Sequence, residues 1–241
     1  MRWLLSLVFS IQIYAMMALM AVWFTPQVFF RREAAYDAVQ TWCRWVRWSA
    51  ERMLGLRTVI RGTVPTGEVL IAAKHQSFLD IILIVSAVPR PKFIMKRELL
   101  WAPILGWYAI RIGCVPVHRG RRGQAIQQML ADVETGRALP GQLIIYPQGT
   151  RVAPGAAMPY KPGTGALYSQ LGQTCVPAAT NVGLFWPRRG VLRRPGLAVV
   201  EFLPPIPPGL PLPEFMARLE SEVETASDDL MAEAGFRPGR G

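Results

Sequence analysis

Residues 68–88 read EVLIAAKHQSFLDIILIVSAV. Two apolar runs flank a short polar insert. EVLIAA (68–73) has the length and composition of a buried strand. The second run is helical in length over 79–87, and it carries Asp80 in its first turn, where a helix N-terminus favours an anion. The stretch therefore reads as strand, turn and helix, with His75 at the junction. The chain has only two histidines, and the other is His118.

The alternation continues outward. Strands are expected at KFIMK (92–96), CVPVHR (114–119), QLIIYP (142–147), CVPAATNV (175–182) and LAVVEFL (197–203). Helices are expected at 98–111, 122–135 and 163–171. This pattern gives an α/β class: a central, largely parallel or mixed sheet flanked by helices. PPIPPGLPLP (204–213) excludes regular helix and central strand, and reads as an extended connector. Phe215, Leu219, Val223 and Leu230 then share one face of a closing amphipathic helix.

The 241 residues carry a net charge of +11, with 51% hydrophobic residues, eight Trp and ten Met. Charge of that sign implies an anionic partner, and the apolar and aromatic content points to an anionic membrane surface. A nucleic-acid partner is not expected, because the arginines are interleaved with Trp in apolar context and no recognition motif occurs. Trp3 to Phe24 carries no charge. As a helix it would be about 33 Å long, enough to cross a hydrocarbon core of about 30 Å. Arg2 precedes it and Arg31 and Arg32 follow it, so the charge rule gives no orientation. A full span and a helix lodged in one leaflet both fit. A cleaved signal peptide does not, because the run is long and no small-residue cleavage site follows. Residues 34–57 interleave Trp42, Trp45 and Trp48 with Arg44, Arg47 and Arg52, as in a helix lying at the headgroup level. Residues 1–57 are thus expected to form a membrane-associating helical pair, and 58–241 the α/β domain that carries His75. Cys43, Cys114 and Cys175 are far apart and read as reduced core residues in a cytosolic setting.

Four polar clusters follow strands: KHQSFLD, MKRE, VHRGRRG and YPQGTR. In a parallel sheet they converge on one face, where ligands gather. Across the strand-to-helix turn, Asp80 can reach Nδ1 of His75. That bond fixes the tautomer and leaves Nε2 to accept a proton, so the pair reads as a general base and its orienter. There is no G-x-S-x-G elbow, and no cysteine stands as a nucleophile. The nucleophile is therefore expected on the substrate, and a hydroxyl attacking an acyl thioester fits.

KHQSFLD, FIMKRELLWAPILGWYAIRIGCVPVHRG, YPQGTR and VPAATN, in that order, resemble the blocks of the PlsC-type glycerolipid acyltransferases, the 1-acyl-sn-glycerol-3-phosphate acyltransferases and their relatives. The resemblance covers roughly residues 60–205. It implies that His75 deprotonates the sn-2 hydroxyl of a lysophospholipid acceptor and that Asp80 orients it. It implies an acyl-ACP or acyl-CoA donor, no cofactor and no metal. Lys96 and Arg119 match basic positions of the second block, where they would hold the acceptor's phosphate. Gln148, Gly149, Thr150 and Arg151 match the third block. There a glycine permits close backbone approach, and a hydroxyl and a guanidinium suit a phosphate. The family's usual glutamate is Gln148 here, which keeps the shape and loses the charge. The implied location is the bacterial cytoplasmic (inner) membrane, with the catalytic domain on its cytoplasmic side. Two alternatives stand beside this reading: a lyso-aminolipid (lyso-ornithine lipid) O-acyltransferase, and a non-catalytic membrane-surface protein of the same fold.

Overall fold

A computed structural model describes residues 1–117, 127 and 140–236. Two long helices, α1 (Arg2–Phe30) and α2 (Ala34–Leu54), lead into β1 (Leu56–Arg61) and β2 (Leu70–Ala73). There follow α3 (Leu79–Ala87), β3 (Pro91–Lys96), α4 (Leu105–Arg111), β4 (Val115–Val117) and β5 (Gln142–Ile145). The chain closes with α5 (Gly163–Leu171), β6 (Cys175–Thr180), β7 (Gly196–Phe202) and α6 (Leu212–Glu233).

The strands form one mixed sheet in the order β1-β7-β6-β2-β5-β3-β4. Every neighbouring pair is parallel except β6 and β7. The carboxyl ends of β2, β3, β4, β5 and β6 therefore meet along one edge, as the four polar clusters require. β2 shows why its sequence is wholly apolar. Ile71 and Ala73 join the core beneath α2 and α3, while Leu70 and Ala72 join the core beneath α5 and α6. A strand covered on both faces has no polar side to show. The α6 face expected from its spacing is the buried one, with Phe215, Leu219 and Val223 fully enclosed and Phe215 stacked on Tyr168 at 3.7 Å.

Some expectations need correction. β1, reading LRTVIR, was not among the expected strands. Among the described residues it is an edge strand paired with β7 alone, so its polar alternation hides the apolar signal. The single helix expected over 98–111 is broken. A 3₁₀ turn spans Arg97–Trp101, and α4 starts only after Pro103. Between them Ile104 has φ 66° and ψ −64°, and the Leu105 N–H donates to the Pro103 carbonyl at 2.6 Å, a γ-turn. Gly106 is required there: a Cβ would lie 2.2 Å from the Leu100 carbonyl oxygen. Of the helix expected over 122–135, Gln127 is helical and the other positions lie outside the described residues, as do His118 and Arg119.

α2 is less of a headgroup helix than its Trp/Arg pattern suggests. The Trp42 indole donates to the Ile13 carbonyl at 2.8 Å, and the Trp45 indole to Gln12 Oε1 at 2.9 Å. Arg47 donates to Thr58 Oγ1 and Ser86 Oγ, both at 2.9 Å. Cys43, Val46 and Ala50 sit in the same core as Ile71 and Leu83. Trp48 faces outward. α1 runs to Phe30 and carries the exposed apolar surface, including Leu4, Ile11, Leu19, Val22 and Trp23. It is long and apolar enough to cross a membrane.

Candidate active site

β2 ends at Ala73, and the Lys74 N–H continues its pairing by donating to the Ala178 carbonyl at 2.9 Å. The chain then turns into α3. His75 Nδ1 lies 2.9 Å from Asp80 Oδ1. Asp80 Oδ2 accepts the backbone N–H groups of Gln76 at 2.9 Å and Ser77 at 2.8 Å. Asp80 is wholly buried, and these three bonds offset the cost of enclosing its charge. A carboxylate accepts and does not donate, so Nδ1 carries the proton and Nε2 is the accepting nitrogen. The imidazole stacks on the Tyr146 ring with centroids 3.9 Å apart.

Tyr146 opens the second loop, after β5. Its hydroxyl is buried and lacks a well-formed hydrogen bond. Burial first, then the adjacent Asp80 carboxylate, hold the phenol well above its ordinary range, so it stays neutral. The loop is bound to the first one, because the Val152 N–H donates to the His75 carbonyl at 2.7 Å. Gly149 takes φ 68°, and its N–H donates to the Tyr146 carbonyl at 2.8 Å. Lys161 lies directly over it: a Cβ on residue 149 would be 2.9 Å from Lys161 Nζ.

His75, Thr150, Arg151, Lys161 and Arg188 line a cavity of about 700 Å³. Its remaining walls are largely apolar and include Met17 and Met20 of α1, Trp42 of α2 and Leu105 of α4. Arg188 donates to the Arg151 carbonyl at 3.0 Å. Among the described residues, neither Arg151, Lys161 nor Arg188 forms an ion pair with a carboxylate. Three cations thus line the same largely apolar cavity as His75. Lysines and arginines so placed suit a phosphate.

Of the other residues singled out in the sequence, Lys96 closes β3, and its side chain lies outside the described part. Gln148 is buried and turned toward protein, with Nε2 3.4 Å from both the Met158 carbonyl and Glu224 Oε1. The VPAATN block braces β6 and β7: Thr180 Oγ1 donates to the Val199 carbonyl at 2.7 Å, and Asn181 Oδ1 accepts the Val199 N–H at 2.8 Å. The three cysteines are buried and free. Burial pushes the Cys114 and Cys175 thiols up to about 12, far from a reactive thiolate. Lys161, Arg188 and Glu224 were missed in the sequence. They lie in segments with no motif of their own, and proximity alone identifies them.

A strand-end His–Asp pair, a phosphate-suited basic cluster and an apolar cavity on this mixed sheet define a class. The family model described as Acyltransferase matches residues 56–181, and the chain belongs to that family of enzymes. It is 28% identical to the 1-acyl-sn-glycerol-3-phosphate acyltransferase of Pseudomonas aeruginosa, over 81% of this chain and 77% of that protein. It is 30% identical to the human 1-acyl-sn-glycerol-3-phosphate acyltransferase alpha, over 64% of this chain and 56% of that one. The crystal structure of the 1-acyl-sn-glycerophosphate (LPA) acyltransferase PlsC from Thermotoga maritima superposes with a TM-score of 0.78 at 20% identity, covering 96% of this chain and all of that one. That last likeness is one of fold.

Proposed function

We propose that the chain moves a fatty acyl group from an acyl thioester, acyl-ACP or acyl-CoA, to the sn-2 hydroxyl of 1-acyl-sn-glycerol-3-phosphate, making phosphatidic acid. The observation that carries this reading is the His75–Asp80 bond at the wall of a largely apolar cavity that Arg151, Lys161 and Arg188 also line. His75 Nε2 takes the hydroxyl proton as the acceptor oxygen bonds to the thioester carbonyl carbon. The C–S bond of the tetrahedral intermediate then breaks, and the leaving thiolate takes the proton back from His75. Asp80 steadies the transient imidazolium. Arg151, Lys161 and Arg188 bind the acceptor's phosphate, with Arg119 and Lys96 joining them by the family resemblance. An acyl chain lies along the apolar walls, in a volume within the usual range for a ligand pocket. The names carried by the relatives support the same acceptor.

The reaction belongs at a membrane surface in this reading, the cytoplasmic face of a bacterial inner membrane. The outer side of α1 is apolar, and a second exposed patch adjoins it. Trp101 is 84% exposed and Ile110 52% exposed. Arg32, just beyond α1, ties the two patches by donating to the Arg111 and Ile110 carbonyls. Apolar surface of this extent, on a chain of net charge +11, suits an anionic bilayer.

The test is transfer of a radiolabelled acyl group by the full chain, with both donors, to lysophosphatidate and to lyso-ornithine lipid. Labelled phosphatidic acid is expected. Preference for the lyso-ornithine acceptor would replace this reading with the aminolipid one, and no transfer to either would support the non-catalytic alternative. Flotation with phosphatidylglycerol vesicles tests the membrane part, and recovery of the intact chain as a free soluble monomer would overturn it.

A further inference from the structure

We propose that Glu224, on the C-terminal helix α6, is a positioning residue of the acyl-transfer site. It would supply the carboxylate that holds the His75 loop and the Tyr146–Arg151 loop together. The inference rests on the acyl-transfer reading above.

Lys74 immediately precedes His75, and its ammonium is almost wholly enclosed, with 3% of the side chain exposed. It pairs with Glu224 Oε2. An enclosed ammonium without a counter-charge is costly, so the pair fixes where the residue before the base sits. The other oxygen, Glu224 Oε1, accepts the Tyr160 hydroxyl at 2.9 Å and faces Gln148 Nε2 at 3.4 Å. Gln148 immediately precedes Gly149, Thr150 and Arg151. One carboxylate thus touches the residue before the base and the residue before the phosphate-suited segment.

The same geometry accounts for the amide at position 148. Its two neighbours, the Met158 carbonyl and Glu224 Oε1, are both acceptors, so the site calls for a donor. A second carboxylate there would face two acceptors and no proton. Asp228, one turn further along α6, adds negative charge nearby; its carboxyl is raised by burial and then by Glu224, and lowered by Lys74. The Lys74 ammonium pairs directly with one carboxylate, Glu224, and in this chain that carboxylate comes from α6, not from the loop after β5.

The experiment compares Gln148→Glu, Glu224→Gln and the double exchange with the wild type in the acyl-transfer assay. Each single variant is expected to lose about tenfold or more in kcat. The Gln148→Glu loss should shrink as pH falls. The added carboxyl, facing Glu224, Asp228, Lys74 and Tyr160, is held above its ordinary range and becomes a neutral donor on protonation. The double exchange restores one carboxylate beside one ammonium, and should return kcat to within about threefold of the wild type. A double variant no better than the worse single, or Gln148→Glu with wild-type rate and pH profile, would overturn the proposal. Should Gln148→Glu not fold, Lys74→Met/Glu224→Gln removes both charges together and should fold. Its kcat is then expected below a tenth of the wild type, and a wild-type kcat would sink the positioning role. Thermal unfolding of the same four proteins of the exchange reads the coupling without substrate. If the wild type transfers no acyl group, the functional reading fails on its own, while non-additive Tm shifts still report the Glu224 contact.

Discussion

The two loops that make the site are built on different principles. The loop after β2 builds its reactive pair locally: the Asp80 carboxylate binds His75, Gln76 and Ser77 within a few residues. The loop after β5 is held from outside, by Lys161 over Gly149, by Glu224 against Gln148 and by Arg188 on the Arg151 carbonyl. In the proposed reaction a local cluster delivers a proton acceptor in a fixed tautomer, while a cluster assembled from distant segments delivers charge to the acceptor and depends on the whole fold for its shape.

Substitutions should separate these two kinds of loop. His75→Ala is expected to cost about 10²–10⁴ in kcat, the range for a lost general base, while Tm stays near that of the wild type. Full turnover in that variant would remove the first loop from the chemistry. Asp80→Asn should approach the same loss, since its amide would present a donor to Nδ1 and favour the wrong tautomer. Its Tm should also fall, because a neutral amide oxygen accepts the Gln76 and Ser77 N–H groups more weakly than the carboxylate does. In the second loop, Arg151→Ala is expected to raise the acceptor KM by about tenfold or more, because a charge-assisted bond is worth about 1.5–3 kcal/mol and 1.4 kcal/mol is tenfold. The donor KM should move much less, and equal rises in both would make Arg151 a general structural residue. Arg188→Ala should show the same split at a few-fold. Gly149→Ala should be smallest in rate and clearest in stability, losing about 1–2 kcal/mol for forcing a side chain into a left-handed backbone. An unchanged Tm would mean that the loop is looser than its contacts imply.

The contrast also explains what could be read in the sequence. α3 and α5 fall where expected because each is a compact run with local signals. The His75–Asp80 bond was legible for the same reason: its partners are five residues apart. β1 escaped notice because Arg57 and Arg61 interrupt a strand that only its pairing with β7 reveals. Nothing in either sequence segment says that β6 and β7 run antiparallel, since direction is settled by the path between them. Lys161, Arg188 and Glu224 reach the second loop from separate stretches of the chain, so no spacing rule could join them. The Trp/Arg pattern of α2 misled in part because indoles and guanidiniums serve helix-to-helix hydrogen bonds as readily as lipid headgroups.

The pairing of β1 with β7 also sets a timetable for synthesis. Among the described residues β1 has no other neighbour in the sheet, and β7 follows it by about 140 residues. At 5–20 residues per second, the ribosome needs about 7–30 s to make that interval. Throughout it, α1, α2 and β1 are outside or leaving the exit tunnel while the strand that will close the edge does not yet exist. The long apolar helix α1 is thus presented to its surroundings well before the sheet can be completed. A nascent chain halted before residue 196 should hold β1 unpaired, with its amide hydrogens open to exchange, and release past residue 202 should protect them.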